Sequence, residues 1–504
     1  MISLGNFWAL VLQLVERQFN AAHPAPALPP PRPQPVTFSE QSRNRHCAIY
    51  GLSGTGKSRQ IESLVMQQIE LLLQGVSTRG LMVFDVHDEL FYNLRARIAL
   101  KALEYPELYD LFIPIDLMND EWMVQYDPLQ CLGRQAPIDR ANTLADVITT
   151  IFADDPTITV RLMRILRNSF LSLILTHKPF QDIFKLLGNA GYRERRKAEL
   201  QRVDRNLYYY WKDQFPQDDR EIRTYVESTL NRLEPMLLNN RLSRLFSQSP
   251  TIDFRKMLDD GAIVLVNAPK GILSPSTSHT ICGLLLAEVA QAAMSRGDLP
   301  ASERRPFVLF CDEFASYMTQ TILTVITETR KYGLELIAAS QEVVGTEKNA
   351  PLQRKVLKTV GTLACFRVGN EDALTIMGDL FTPVIDQVKH MRQVWQKPYG
   401  MDTLYEEPVY RGLDEIREKK RAQIVNLADR TFFLKERGQP GTYLTHTLDM
   451  PDVSELASTS RLELALGKLD DEAHSRFSSN VIVPPPPEPE SDADRPYEVD
   501  SGDE

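Results

Sequence analysis

Eight consecutive residues constrain this chain more than any other stretch: Gly51, Leu52, Ser53, Gly54, Thr55, Gly56, Lys57 and Ser58. They follow the short apolar run His46–Tyr50. They precede Ile61, Leu64, Val65, Ile69 and Leu72, apolar residues at helical spacing. A strand, a glycine-rich turn and a helix start together bring backbone N–H groups around phosphate oxygens. The glycines permit the close approach, Lys57 neutralises the terminal phosphates and the Ser58 hydroxyl is a Mg²⁺ ligand. The reading makes these eight residues a binding loop for ATP and Mg²⁺. Such a loop needs a parallel sheet to hold it, which limits the fold at once.

The rest of the chain supplies that sheet. Leu81–Phe84, Ala262–Val266, Phe307–Phe310, Leu334–Ser340 and Thr362–Val368 read as strands. Helical patterns such as Ser276–Arg296 and Gln320–Lys331 lie between them. The expected fold is α/β: a RecA-like P-loop ATPase with a mainly parallel central sheet and an inserted all-helical domain. The insertion is read from residues 135–250, where Arg140–Phe152, Ile158–Leu175, Arg193–Phe215 and Arg220–Leu238 carry helical patterns without an intervening strand. The ATPase domain is then discontinuous, 41–134 and 251–452. A helix over Leu413–Leu427 and a hairpin of Thr431–Lys435 with Tyr443–Leu448, turned at Gly438–Gly441, close it.

Four more elements complete the candidate site. Phe307–Cys311 is an apolar strand ending in Asp312 and Glu313. Asp312 at the strand tip would hold the Mg²⁺ shell, and Glu313 would orient and deprotonate the attacking water. Leu334–Ser340 ends in Gln341, whose amide suits a contact with the terminal phosphate or the water. Arg330 closes the preceding helical pattern. It is either a finger reaching a neighbouring subunit's ATP or a cation on a helix C-terminus before Gly333. The second strand ends in Asp85-Val86-His87; carboxylates at such a strand end face the ligand crevice, so Asp85 or His87 is placed to touch nucleotide or metal, the other reading of His87 being a turn residue.

The flanks are of another kind. Residues 1–20 read as an amphipathic helix that lies on a membrane surface, docks a partner or packs on the chain itself. Residues 21–40 form a proline-rich linker, with seven prolines between 23 and 35. Residues 453–483 read as a C-terminal helix, and 484–504 as a disordered acidic tail. Lys plus Arg number 57 and Asp plus Glu 67, for a formal charge of −10; the tail carries −7 of it, leaving −3 on residues 1–483. The acidic balance therefore excludes a uniformly basic surface but not a local basic channel. Five scattered cysteines, with no CxxC pair, fit buried thiols in a reducing, cytoplasmic setting. No segment is long and apolar enough to span a membrane.

Taken together these motifs resemble the HerA–FtsK superfamily of P-loop translocases, and within it the soluble part of conjugative type IV secretion coupling ATPases. The resemblance covers about residues 44–450. It rests on Gly51–Ser58, Asp85 and His87, Gly261–Asn267 followed by Lys270 and Gly271, Asp312-Glu313-Phe314, Arg330-Lys331-Tyr332-Gly333 leading to Ser340-Gln341, and Phe366–Gly369 before Asp372. It departs from that pattern at Asp88, where glycine is usual, and in lacking initial transmembrane helices. The resemblance implies a homo-hexameric ring with ATP at subunit boundaries and DNA, bound without sequence preference, in a central channel. It makes Glu313 catalytic, Gln341 a γ-phosphate sensor and Arg330 a trans-acting finger. The chain's own signal for DNA is slight: Arg193, Arg195, Arg196 and Lys197 near Tyr208–Trp211, and Lys270 after a strand. The competing reading is an ATP-controlled recruitment platform that binds protein partners through the N-terminal helix, the helical insertion and the tail.

Overall fold

The computed structural model describes residues 46–133, 135–152, 156–239, 243–317, 328–343, 350–381, 389–396, 403–410, 413–438 and 441–478. The N-terminal helix, the proline-rich linker, most of the Gln320–Lys331 helix and the acidic tail lie outside the described residues.

The strands are β1 (Cys47–Tyr50), β2 (Gly80–Asp85), β3 (Phe112–Asp116), β4 (Ile263–Asn267), β5 (Phe307–Cys311), β6 (Leu334–Ser340), β7 (Thr362–Cys365), β8 (Lys389–Gln396), β9 (Thr403–Tyr410), β10 (Thr431–Glu436) and β11 (Tyr443–His446). Nine of them form one sheet in the order β11-β10-β7-β1-β6-β5-β2-β4-β3. From β7 to β3 every pairing is parallel, whereas β10 joins β7 and β11 antiparallel. One strand, β6, therefore separates the glycine-loop strand β1 from the Asp-Glu strand β5. The α/β expectation with a mainly parallel sheet holds.

Two strand regions were not legible. β3 contains Pro114, which suppresses a strand reading; it is tolerated because β3 is the sheet edge. β8 and β9 pair antiparallel as a separate two-stranded sheet.

The central strands are buried on both faces, so their side chains divide by alternation. Ile49, Leu81, Val83, Leu265 and Phe310 point to one face, packed with α1 (Lys57–Leu73) and α2 (Glu89–Ala102). Tyr50, Met82, Phe84, Val264 and Leu309 point to the other. The second face also receives the helical stretch between β3 and β4: α3 (Pro137–Phe152), α4 (Pro156–Leu175), α5 (Ala190–Val203) and α6 (Asp219–Leu237). α7 (Pro275–Ser295), after β4, lies there too. Fully buried Arg140 of α3 pairs with Glu288 of α7 and donates to the Pro128 carbonyl at 2.7 Å. This ion pair fixes the helical stretch to α7.

The expected Arg193–Phe215 helix is interrupted. α5 stops at Val203, and the Asp204 carboxylate caps a new helix at the Leu207 N–H. That helix ends in a π-turn over Tyr210–Gln214. The C-terminal helix α8 (Thr459–Phe477) packs against α2, with Asp470 paired to Arg95. Among the described residues no helix is long and apolar enough to cross a membrane.

Candidate active site

All parallel strands end on one edge of the sheet, and there the predicted residues meet. Phe366 presses on the loop so closely that a Cβ on Gly51 would lie 2.6 Å from the Phe366 Cβ. Gly51 N–H donates to the Ser340 carbonyl and Leu52 N–H to the Arg367 carbonyl, tying the loop to the ends of β6 and β7. Gly54 and Gly56 take φ of 76° and 106°, values that side chains resist. Thr55 is fully buried and donates to the Leu52 carbonyl at 2.7 Å; Leu52, Ser53 and Gly54 are exposed at the loop tip. Lys57 donates to the Gly51 and Leu52 carbonyls at 2.6 and 3.0 Å. Burial lowers its ammonium pKa, while the Glu313 and Asp312 carboxylates oppose that shift.

Ser58 Oγ donates to Asp312 Oδ2 at 3.3 Å, joining loop and Asp-Glu strand. Asp312 is 3% exposed, and burial pushes its carboxyl up to about 7, with Asp85 and Glu313 adding like-charge repulsion and Lys57 opposing. Glu313 sits at φ 50°, a left-handed conformation costing a non-glycine residue about 1–3 kcal/mol. Its N–H donates to Asp312 Oδ1, and its Oε1 accepts from Gln341 Nε2. His87 Nε2 lies 4.0 Å from the same Glu313 oxygen. Lys57, Ser58, Asp312, Glu313 and Gln341 are thus brought together from three strand ends.

Two predicted residues lie outside this chain of contacts. Asp85 is buried, but both carboxylate oxygens accept backbone N–H groups, from His87 and Phe91, each at 2.8 Å. Its oxygens organise the turn into α2, and its charge helps to raise the Asp312 carboxyl. Arg330 is exposed in a 3₁₀ turn, Thr329–Tyr332, ahead of β6. That is the opposite sheet edge, roughly 20 Å from this chain's own loop, given seven residues of strand between.

Sequence reasoning missed Arg430. Its N–H donates to the Thr55 carbonyl at 2.8 Å, and its Cα and Cγ lie 3.3 Å from where a Gly56 Cβ would stand. Nothing in the local sequence marks this, because the contact exists only once β10 has joined the sheet.

The oxygen donors Ser58 and Asp312 suit Mg²⁺. Among the described residues no group of three His, Cys, Asp or Glu converges, so a cation here would take most of its ligands from phosphate and water. The cysteines are buried, Cys131 excepted, and burial pushes the Cys311 thiol up to about 12.

No family model and no curated protein matches the chain by sequence. Solved structures match its fold. The bacterial conjugative coupling protein TrwBdeltaN70, unbound, aligns with a TM-score of 0.58 at 14% identity over 84% of this chain and 91% of that one. The plasmid coupling protein TrwB in complex with ADP and Mg²⁺ aligns at 0.57 and 14%, covering 86% and 92%. TrwB with the non-hydrolysable ATP analogue ADPNP gives 0.57 and 14%, over 84% and 91%. With its glycine loop and Asp-Glu strand set on either side of β6, the chain has the fold of the conjugative coupling protein TrwB.

Proposed function

We propose that the chain is an ATP-hydrolysing motor that drives DNA, without sequence preference, through a ring of its own copies. The observation that carries the reading is the Gln341–Glu313–Asp312–Ser58 chain of contacts leading to the phosphate loop. TrwB, the same fold, has been crystallised with ADP and Mg²⁺, which supports ATP and Mg²⁺ as the ligands here.

In this reading the Gly51–Ser58 amides surround the phosphates and Lys57 neutralises them. Ser58, with Asp312 ordering water around it, would hold Mg²⁺, which would supply charge neutralisation for the phosphates. Glu313 takes a proton from the attacking water as its oxygen bonds to the γ-phosphorus. The bond to the bridging oxygen breaks, ADP leaves with that oxygen, and the proton passes to the phosphate. Gln341 fixes the Glu313 carboxylate and senses the γ-phosphate. Arg330, on the far edge of its own sheet, serves the ATP of an adjoining copy, which is the argument for a ring. Contacts to the DNA backbone suffice for movement along any sequence.

Glu313→Gln is expected to keep ATP affinity and lower turnover by about 10²–10⁴-fold. Unchanged hydrolysis would remove Glu313 from the mechanism. The unaltered chain is expected to hydrolyse ATP faster with DNA; an active basal rate indifferent to DNA would overturn the motor.

A further inference from the structure

The basic residues singled out beside the aromatic run are occupied by the fold. Arg193 is buried, donates to the Leu186 and Leu187 carbonyls and stacks on Phe215. Arg196 pairs with Glu199 and Lys197 with Glu194. A different set stands out on α4. Arg161, Arg164 and Arg167 follow one another at intervals of three residues, which puts them along one face. Among the described residues none of them pairs with a carboxylate. Arg161 lies over the Tyr225 ring at 5.7 Å and Arg164 over Tyr210 at 5.4 Å. Arg164 also bonds Gln214, a neutral amide. Half-buried Arg167 makes no hydrogen bond or ion pair with the described residues.

Arg164 and Arg167 open into a cleft of about 650 Å³ walled also by Asn168, Asn206, Tyr210 and Gln214. The one carboxylate lining it, Asp204, is engaged in capping Leu207. Tyr209, one residue before Tyr210 and outside the cleft lining, is 50% exposed, and its ring packs edge-on against Tyr208. Stacking on tyrosine orders the guanidinium groups without neutralising them, so their charge is left for an external anion. Guanidinium forks match phosphate oxygens, amide walls supply further donors, and an exposed aromatic offers a face to a base. A run of carboxylates would use the arginines and leave the exposed ring idle.

We propose that Arg161, Arg164 and Arg167 with this cleft bind the phosphate backbone of a nucleic-acid strand. The inference rests on the DNA-motor reading and names one of its contact surfaces. It is tested in the full chain with a short mixed-sequence fluorescent oligonucleotide, single-stranded and duplex, titrated at several salt concentrations. Arg161→Ala/Arg164→Ala/Arg167→Ala is expected to lower affinity about tenfold or more and to flatten the log–log salt slope by about 2. The triple Lys variant, which keeps the charge, is expected to retain most of the affinity and slope. Basal ATP hydrolysis without DNA is expected to stay unchanged in both, and the melting temperature to fall by no more than a few degrees for the lost ring contacts, which separates lost contacts from lost folding. Equal binding by the Ala variant and the unaltered chain overturns the inference and leaves the motor standing. An unaltered chain that binds no oligonucleotide overturns both. If the Ala variant keeps the oligonucleotide but loses a poly-glutamate peptide that the unaltered chain binds, the cleft serves an acidic protein and the inference fails.

Discussion

The two edges of the one sheet are built on opposite electrostatic rules. At the C-terminal edge buried Asp312 feels like-charge repulsion from Asp85 and Glu313, and Lys57 opposes it. At the N-terminal edge arginines close the structure. Arg296 is fully buried and donates to Asp259 and to the carbonyls of Leu258, Arg305 and Tyr332. Arg305 donates to the Thr78 and Asp260 carbonyls, Arg304 to those of Arg296, Leu299 and Lys331, and Arg79 pairs with Glu335. One edge leaves charge for a ligand to complete; the other satisfies its own polar groups. The lesson is that stability and chemistry are placed at opposite ends of the same strands, so each can be disturbed separately.

The largest effect that sharpens this contrast is expected at Arg296. Arg296→Met takes the guanidinium donor from the Arg305 and Tyr332 carbonyls and leaves Asp259 with Arg255 as its remaining partner, at a cost of about 2–3 kcal/mol in denaturant unfolding. Nucleotide affinity of the folded fraction should not change. A variant that melts normally but binds ATP weakly would break the division between the edges.

The next effect belongs to the opposite edge and depends on pH. From about 3.8, its ordinary value, to about 7 the folded chain keeps a proton on Asp312 that the unfolded chain has released. This group's contribution to stability is therefore full at lower pH and is lost as pH rises through about 7. Affinity for Mg²⁺ and nucleotide moves the other way, because the ionised carboxylate is the form that serves the cation. Melting temperature and binding of a fluorescent ATP analogue, followed between about pH 5.5 and about pH 8, should show opposite slopes, both flattened in Asp312→Asn. Parallel slopes would mean that another group dominates.

The smallest effect is expected at Arg330, exposed on the stabilised edge. Arg330→Ala should change the stability of the chain by no more than ~0.5 kcal/mol. A loss above ~1 kcal/mol would show that exposed arginines also stabilise this edge, and that burial is not what distinguishes Arg296.

Much of this was legible without coordinates because the signals are local. Strands buried on both faces read as continuous apolar runs, which is why β1, β2, β4, β5 and β6 stood out. The loop Gly51–Ser58 and the Asp312-Glu313 strand end carry their chemistry in consecutive residues. β3 escaped because Pro114 contradicts a strand wherever the strand is not an edge, and edge position is a property of the whole sheet. Asp85 was read as placed to touch nucleotide or metal because strand ends usually face a ligand; that its two oxygens also accept backbone N–H groups of the turn into α2 was not legible.

The sequence by itself determined the loop, the Asp-Glu strand end and the α/β alternation, since backbone freedom, apolar runs and turn chemistry act over a few neighbours. Only the tertiary structure decided who is paired with whom. It spent Arg193, Arg196 and Lys197 on carbonyls and carboxylates, left Arg161, Arg164 and Arg167 without a carboxylate among the described residues, and brought Arg430 onto the loop beside Gly56. An arginine's role depends on what stands within hydrogen-bonding reach of its guanidinium, and residues distant in sequence set that distance when the chain closes on itself.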